Sequence, residues 1–161
     1  MTSLQGTMKP TVYIETTILS YLVSRPSRDL IVAGRQEITR EWWEFSALSF
    51  DLVLSQVVLD EISAGDPEHA KNRMRHATMI PALEVTQSAV DLAQAIQHRG
   101  LIPPGEVRDA LHISVATVWR TDYLLTWNCK HIANAQIVRQ LEKYVKTYGY
   151  DLPVICTPES L

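Results

Sequence analysis

With 161 residues, 46% of them hydrophobic, the chain has the length and apolar content of one ordinary globular domain. Its formal charge of -3 excludes holding nucleic acid by overall attraction, so a polyanion would need a local basic patch or bound cations. Cys129 and Cys156 are too few and too far apart for a disulfide scaffold or a zinc-ligand set, and a reducing cytoplasm is the expected compartment. Met1 to Pro10 is polar, without an apolar core of signal-peptide length, and no later run approaches bilayer-spanning length, so neither export nor membrane insertion is expected.

Residues 1–9 read as a disordered or extended segment, 10–158 as one domain and 159–161 as a tail. The β-branched and aromatic run Thr11-Val12-Tyr13-Ile14 predicts a buried strand, and Glu15-Thr16-Thr17 then offers capping hydroxyls to a short helix bearing Ile18, Leu19 and Leu22. Ser27 or Asp29 is expected to cap a longer helix reaching about Leu48, with Leu30, Ala33, Ile38, Trp42, Phe45 and Leu48 at near-helical spacing. Asp51 to Ser55 predicts a second strand, followed by a helix with Val57, Val58 and Ile62 that stops at Gly65. Asp66-Pro67 starts another helix, with Asp as the cap and Pro in the first turn.

Leu83-Glu84-Val85 predicts a brief third strand, and Thr86 caps a helix that ends at Gly100. After the Pro-rich loop 101–105, a helix is expected from Glu106 or Val107 to Trp119, with Asp109 in its first turn. Tyr123 to Thr126 predicts a fourth strand, Asn134 caps an amphipathic helix, and Val154-Ile155-Cys156 is the last strand. Short apolar strands alternating with helices imply an α/β fold whose mostly parallel sheet is covered on both faces. In such sheets ligands sit beyond the carboxyl ends of the strands, where strand order reverses.

Oxygen donors gather at those ends: Glu15 after the first strand, Asp60 and Glu61 on the next helix, Asp109 at a helix start and Asn128 after the fourth strand. Such donors suit Mg2+ or Mn2+, which take oxygen ligands and keep several waters. A carboxylate abutting a strongly apolar strand, as Glu15 does, is expensive unless paired or coordinated. Adjacent helical residues point about 100° apart, so Asp60 and Glu61 cannot both face one site, and periodicity does not choose between them. Asp109 alone also reads as an ordinary partner of the helix dipole.

Three stretches resemble PIN domains, and among them the VapC-like toxin ribonucleases of bacterial toxin-antitoxin pairs. They are Val12 to Thr17, the Ser55 to Ile62 segment Ser-Gln-Val-Val-Leu-Asp-Glu-Ile, and Asp109 to Ile113 followed by Tyr123 to Asn128. The resemblance spans about residues 10 to 158 and rests on the order and spacing of its motifs. It implies a PIN-like three-layer α/β/α domain that hydrolyses RNA phosphodiester bonds with Mg2+ or Mn2+. It also implies that Glu61, rather than Asp60, joins Glu15, Asp109 and Asn128 as metal-site and catalytic residues, with Thr126 in support. A homodimer and a small antitoxin partner are implied as well.

Two positions depart from that pattern. Glu15 stands where the family usually has Asp, and Asn128 stands where many members have Asp, so the fourth donor brings no charge. These departures leave one or two cations open, and they motivate an alternative reading as a catalytically weak PIN domain that binds RNA or a protein. Arg25, Arg28, Lys130 and His131 are candidate substrate contacts, with solvated surface charge as the plainer reading. His112 reads as a packing histidine satisfied by a hydrogen bond, with proton transfer or substrate contact as the other option. The four tryptophans read as core or interface residues before base-stacking platforms, and Cys129 lacks an identifiable base that would make it a nucleophile.

Overall fold

The computed structural model describes residues 8–161, so most of the segment expected to be extended or disordered, 1–9, lies outside the described residues. β1 is Thr11–Ile14, and its Val12, Tyr13 and Ile14 are fully buried. It leads through Glu15 into α1, Thr16–Val23, and then α2, Leu30–Glu41. β2, Asp51–Ser55, is followed by α3, Gln56–Ile62, and α4, Pro67–Ala77. β3 is only Ala82–Leu83, and α5, Gln87–His98, precedes α6, Val107–Val118. β4, Tyr123–Leu125, α7, Ala135–Lys146, and β5, Val154–Cys156, complete the order.

The strands form one five-stranded sheet in the order β3-β2-β1-β4-β5. Every pairing is parallel, with Tyr13 beside both Val53 and Leu124. Helical crossovers make this topology attainable, since parallel neighbours cannot be joined by a tight turn. α1 packs against α2, α3 and α4, while α5 packs against α6 and α7, giving a three-layer α/β/α arrangement. Leu54, Ile113, Val115, Leu124 and Leu125 are fully buried between the layers, each contributing about 1.5–3 kcal/mol. From β1 the chain first builds towards β2 and β3; β4 then pairs on the other side of β1, so the β1/β4 junction is where strand order reverses.

Capping signals act where the sequence places them. Asp66 accepts from the backbone N–H groups of Glu68 and His69, Asn134 from those of Gln136 and Ile137, and Thr86 from that of Ala89. Gly65 follows α3 with φ +85°, the left-handed conformation that a helix end commonly needs.

Three expectations are corrected. At α1 the cap is the Glu15 carboxylate, which accepts from Thr17 N, rather than a threonine hydroxyl. The long second helix ends at Glu41; a π turn over Trp42–Ser46 and a 3-10 turn over Ala47–Ser49 follow. Its expected apolar face holds only in part: Trp42 is buried and Ile38 packs against the core, but Leu30, Phe45 and Leu48 are 87%, 68% and 74% exposed, and Gln36 and Thr39 are buried. Hydrogen bonds to partners outside the helix account for the two buried polar residues. Gln36 Nε2 donates to Ser24 Oγ and Arg25 O, and Thr39 Oγ1 accepts from Trp127 Nε1. The third strand begins and ends one or more residues before the expected stretch, because the pairing runs Leu54 to Ala82 and Ser55 to Leu83.

Candidate metal centre

The site begins where β1 turns into α1. Glu15 N still donates to Leu125 O at 3.1 Å, which holds the backbone in register with β4 while the side chain turns to the helix start. Glu15 is 3% exposed. Its Oε2 accepts from Thr17 N at 3.1 Å, Thr17 Oγ1 at 2.5 Å and Thr126 Oγ1 at 2.8 Å. These donors and the positive end of α1 offset the cost of burying the charge. Among the described residues, no hydrogen bond reaches Oε1; its neighbour is His112 Nε2, 4.0 Å away.

Glu61 is divided in the same manner. Oε1 accepts from Thr16 Oγ1 at 2.9 Å and lies 2.5 Å from His112 Nε2, while Oε2 has no hydrogen bond among the described residues. Burial works against its charge, but the hydrogen bond and charge of His112, the Thr16 hydroxyl and the Arg108 guanidinium hold the carboxyl below its ordinary range. Asp60 turns outward, exposed and bonded to Gln56 Nε2 at 2.8 Å, so it is Glu61 that faces Glu15 across His112.

A second group lies one turn earlier on α6. Glu106, Asp109 and His131 offer donor atoms that all fall within 4.8 Å of one another. Asp109 Oδ2 is 2.9 Å from His131 Nδ1. Glu106 is the residue before α6, and on α6 Asp109 and His112, three residues apart, point about 60° apart with about 4.5 Å of rise between them. Asp109 meets His131, and Glu15 and Glu61 lie around His112.

Asn128 follows Thr126 at the exit of β4, and its backbone N–H donates to Thr126 Oγ1 at 2.9 Å. Its side-chain Oδ1 accepts from His131 N at 3.0 Å, and its carbonyl accepts from Ile132 N and Ala133 N. The amide therefore closes the loop that carries His131 to Asp109. Lys130, Arg25 and Arg28 are exposed, and among the described residues none is hydrogen-bonded or ion-paired to these carboxylates. A cavity of about 620 Å³ opens at the other end of the sheet, near Lys9, Asp51, His76 and Pro81, and none of these acidic groups lines it.

No family sequence model and no curated protein matches the chain. Solved structures do match. VapBC2 from Rickettsia felis, bound to a DNA fragment from its promoter, superposes with a TM-score of 0.57 at 14% identity over 91% of this chain and 98% of that one. A toxin-antitoxin complex from Klebsiella pneumoniae gives 0.58 at 15% identity, over 91% of this chain and 97% of that one. The fold is PIN-like. VapC20 from Mycobacterium tuberculosis, a toxin that cleaves the sarcin-ricin loop, matches at 0.56 and 14% identity over 74% of this chain and 92% of that one. At these identities the likeness concerns the PIN-like architecture alone; in this chain Glu15 and Thr126 lie just past the carboxyl ends of β1 and β4, where strand order reverses.

The residues that sequence reasoning underweighted are His112, Arg108 and Glu106. His112 is fully buried and hydrogen-bonded, as a packing histidine would be, but one of its bonds is to Glu61. The available signal was the spacing of three residues on either side of Asp109, which makes Glu106 and His112 its neighbours at the start of α6.

Proposed function

We propose that the chain is a Mg2+- or Mn2+-dependent endoribonuclease that hydrolyses RNA phosphodiester bonds, working as the toxin of a toxin-antitoxin pair. The observation that carries this reading is the divided state of Glu15 and Glu61, each with one oxygen engaged by protein donors and the other without a protein partner. A nearly buried carboxylate with an unshared oxygen fits a hard divalent cation, which needs few protein oxygens and retains water. Glu15, Glu61 and Asp109 would hold it, with Glu106 and His131 beside Asp109 and Asn128 placing the loop. When bound, the cation supplies an activated water and neutralises charge on the phosphate.

The chain's own groups do the remaining work. Thr17 and Thr126 fix Glu15, Thr16 and His112 fix Glu61, and the exposed Arg108, whose charge acts on Glu61, and Lys130, next in sequence to His131, offer positive charge suited to an RNA backbone. This arrangement requires no protein nucleophile. The PIN-like fold and the resemblance of the motifs support an antitoxin partner and a homodimer as parts of the same reading. No helix among the described residues is long and apolar enough to cross a membrane.

The direct test incubates the purified chain with labelled single-stranded RNA and Mn2+ or Mg2+, beside a chelator control and an identically purified Asp109→Asn variant. Cleavage lost in both controls supports the nuclease. RNA retention without turnover, in folded protein with metal present, supports a binding module in its place.

A further inference from the structure

The division of Glu61 is imposed from inside the core. His112 Nδ1 lies 2.8 Å from the Tyr13 hydroxyl, which lies 2.7 Å from Ser55 Oγ. Ser55, Tyr13 and His112 are all fully buried. The Glu61 carboxylate can only accept, so His112 Nε2–H donates to it; His112 Nδ1 then either accepts from Tyr13 O–H, with Ser55 O–H donating to Tyr13, or donates to the Tyr13 oxygen while Tyr13 donates to Ser55 Oγ. The run joins β2, β1 and α6 to a single oxygen on α3.

We infer that the Ser55–Tyr13–His112 run makes the site discriminate among divalent cations, by retaining Glu61 Oε1 for the protein and offering Oε2 alone. Thr17 and Thr126 divide Glu15 in the same sense. Ca2+ gathers roughly six to eight oxygens and readily takes both oxygens of a carboxylate, whereas Mg2+ takes one or two carboxylates and keeps its waters. Carboxylates that present one oxygen each therefore favour the smaller ions. His112 acts here as a positioning residue, through Glu61. The inference rests on the metal-site reading above and adds to it the origin of ion selectivity.

The test is binding of Mn2+ and of Ca2+, each measured by titration calorimetry on the full chain, for the wild type, Tyr13→Phe, His112→Leu and His112→Gln, with circular dichroism to establish folding. Loss of an outer hydrogen-bond partner commonly costs about 10- to 100-fold in metal affinity, and here the ratio of Mn2+ to Ca2+ affinity is expected to fall at least about tenfold in His112→Leu. Tyr13→Phe moves the ratio the same way by less, and His112→Gln, whose amide can still donate to Glu61, recovers most of it. Parallel weakening of both ions, with the ratio unchanged, is what a merely structural role predicts and overturns the inference. If His112→Leu does not fold, the ratio in Tyr13→Phe decides between the same two results. A wild type that takes up neither ion overturns the metal-site reading itself and this inference with it, whereas an unchanged ratio in a protein that binds Mn2+ leaves that reading standing.

Discussion

Thr126→Val tests whether the inner carboxylate depends on its hydroxyl partner. Thr126 is fully buried; its Oγ1 donates to Glu15 Oε2 at 2.8 Å and accepts from Asn128 N at 2.9 Å. A hydrogen bond to a charged group contributes about 1.5–3 kcal/mol and a neutral one about 0.5–1.5. Replacing the hydroxyl by a methyl recovers roughly 0.8 kcal/mol through apolar burial, so the net loss is about 1–4 kcal/mol. For a domain of this size that corresponds to a fall in Tm of roughly 2–15 °C. Urea denaturation followed by circular dichroism reads the change, with Thr126→Ser retaining the hydroxyl as the reference. A Thr126→Val midpoint equal to wild type refutes the reasoning, because Glu15 would then be held without this bond.

Three further outcomes are expected. Arg120 ends α6 with φ 56°, a left-handed conformation that costs a side-chain-bearing residue roughly 1–2 kcal/mol; allowing for the greater freedom of unfolded glycine, Arg120→Gly should raise stability by up to about 1 kcal/mol in thermal unfolding. Burial pushes the Cys156 thiol up to about 11, so at pH 8 only about 0.1% is thiolate, and iodoacetamide should label exposed Cys129 and spare Cys156 in peptide mass mapping of the native protein. The hydrogen bond from the His69 backbone, joined by that from Glu68, holds the Asp66 carboxyl below its ordinary range. A depressed carboxyl contributes stability above its unfolded pKa, and that contribution is lost as pH falls through the lower folded value; Asp66→Asn should therefore show a shallower decline in Tm between pH 5 and pH 3.

The sheet was legible because its strands are short apolar runs whose neighbours carry strong local signals: Asp66 before Pro67, Thr86 before α5 and Asn134 before α7 all cap the helices expected of them. The region after α2 was not, since its apolar spacing continues through Phe45 and Leu48 while Gln36 and Thr39 are buried through hydrogen bonds with Ser24 and Trp127, outside the helix. Periodicity registers what is apolar and cannot register a buried amide whose partners are elsewhere. The same reason hid part of the candidate site. Glu15 was noticeable as a charge at the end of an apolar strand, whereas the bond from His112 to Glu61 joins positions 51 residues apart and left no local mark. Asn128 drew attention as a ligand by its place after β4, but its Oδ1 is engaged with the backbone of His131, a contact that the order of residue types does not reveal.

The pairing of β1 with β4 also governs when the surroundings of Glu15 can be completed. Glu15 is near the start of the chain, yet its strand neighbour Leu125 and its hydroxyl partner Thr126 lie about 110 residues later. During synthesis, the first half of the sheet can gather around β1 and β2 while Glu15 still lacks its partners on β4. Contacts this distant in sequence form late and at a large cost in chain entropy. A chain growing on a ribosome must expose everything through Thr126 before Glu15 gains these partners, so any activity that depends on them is withheld until most of the polypeptide has been made.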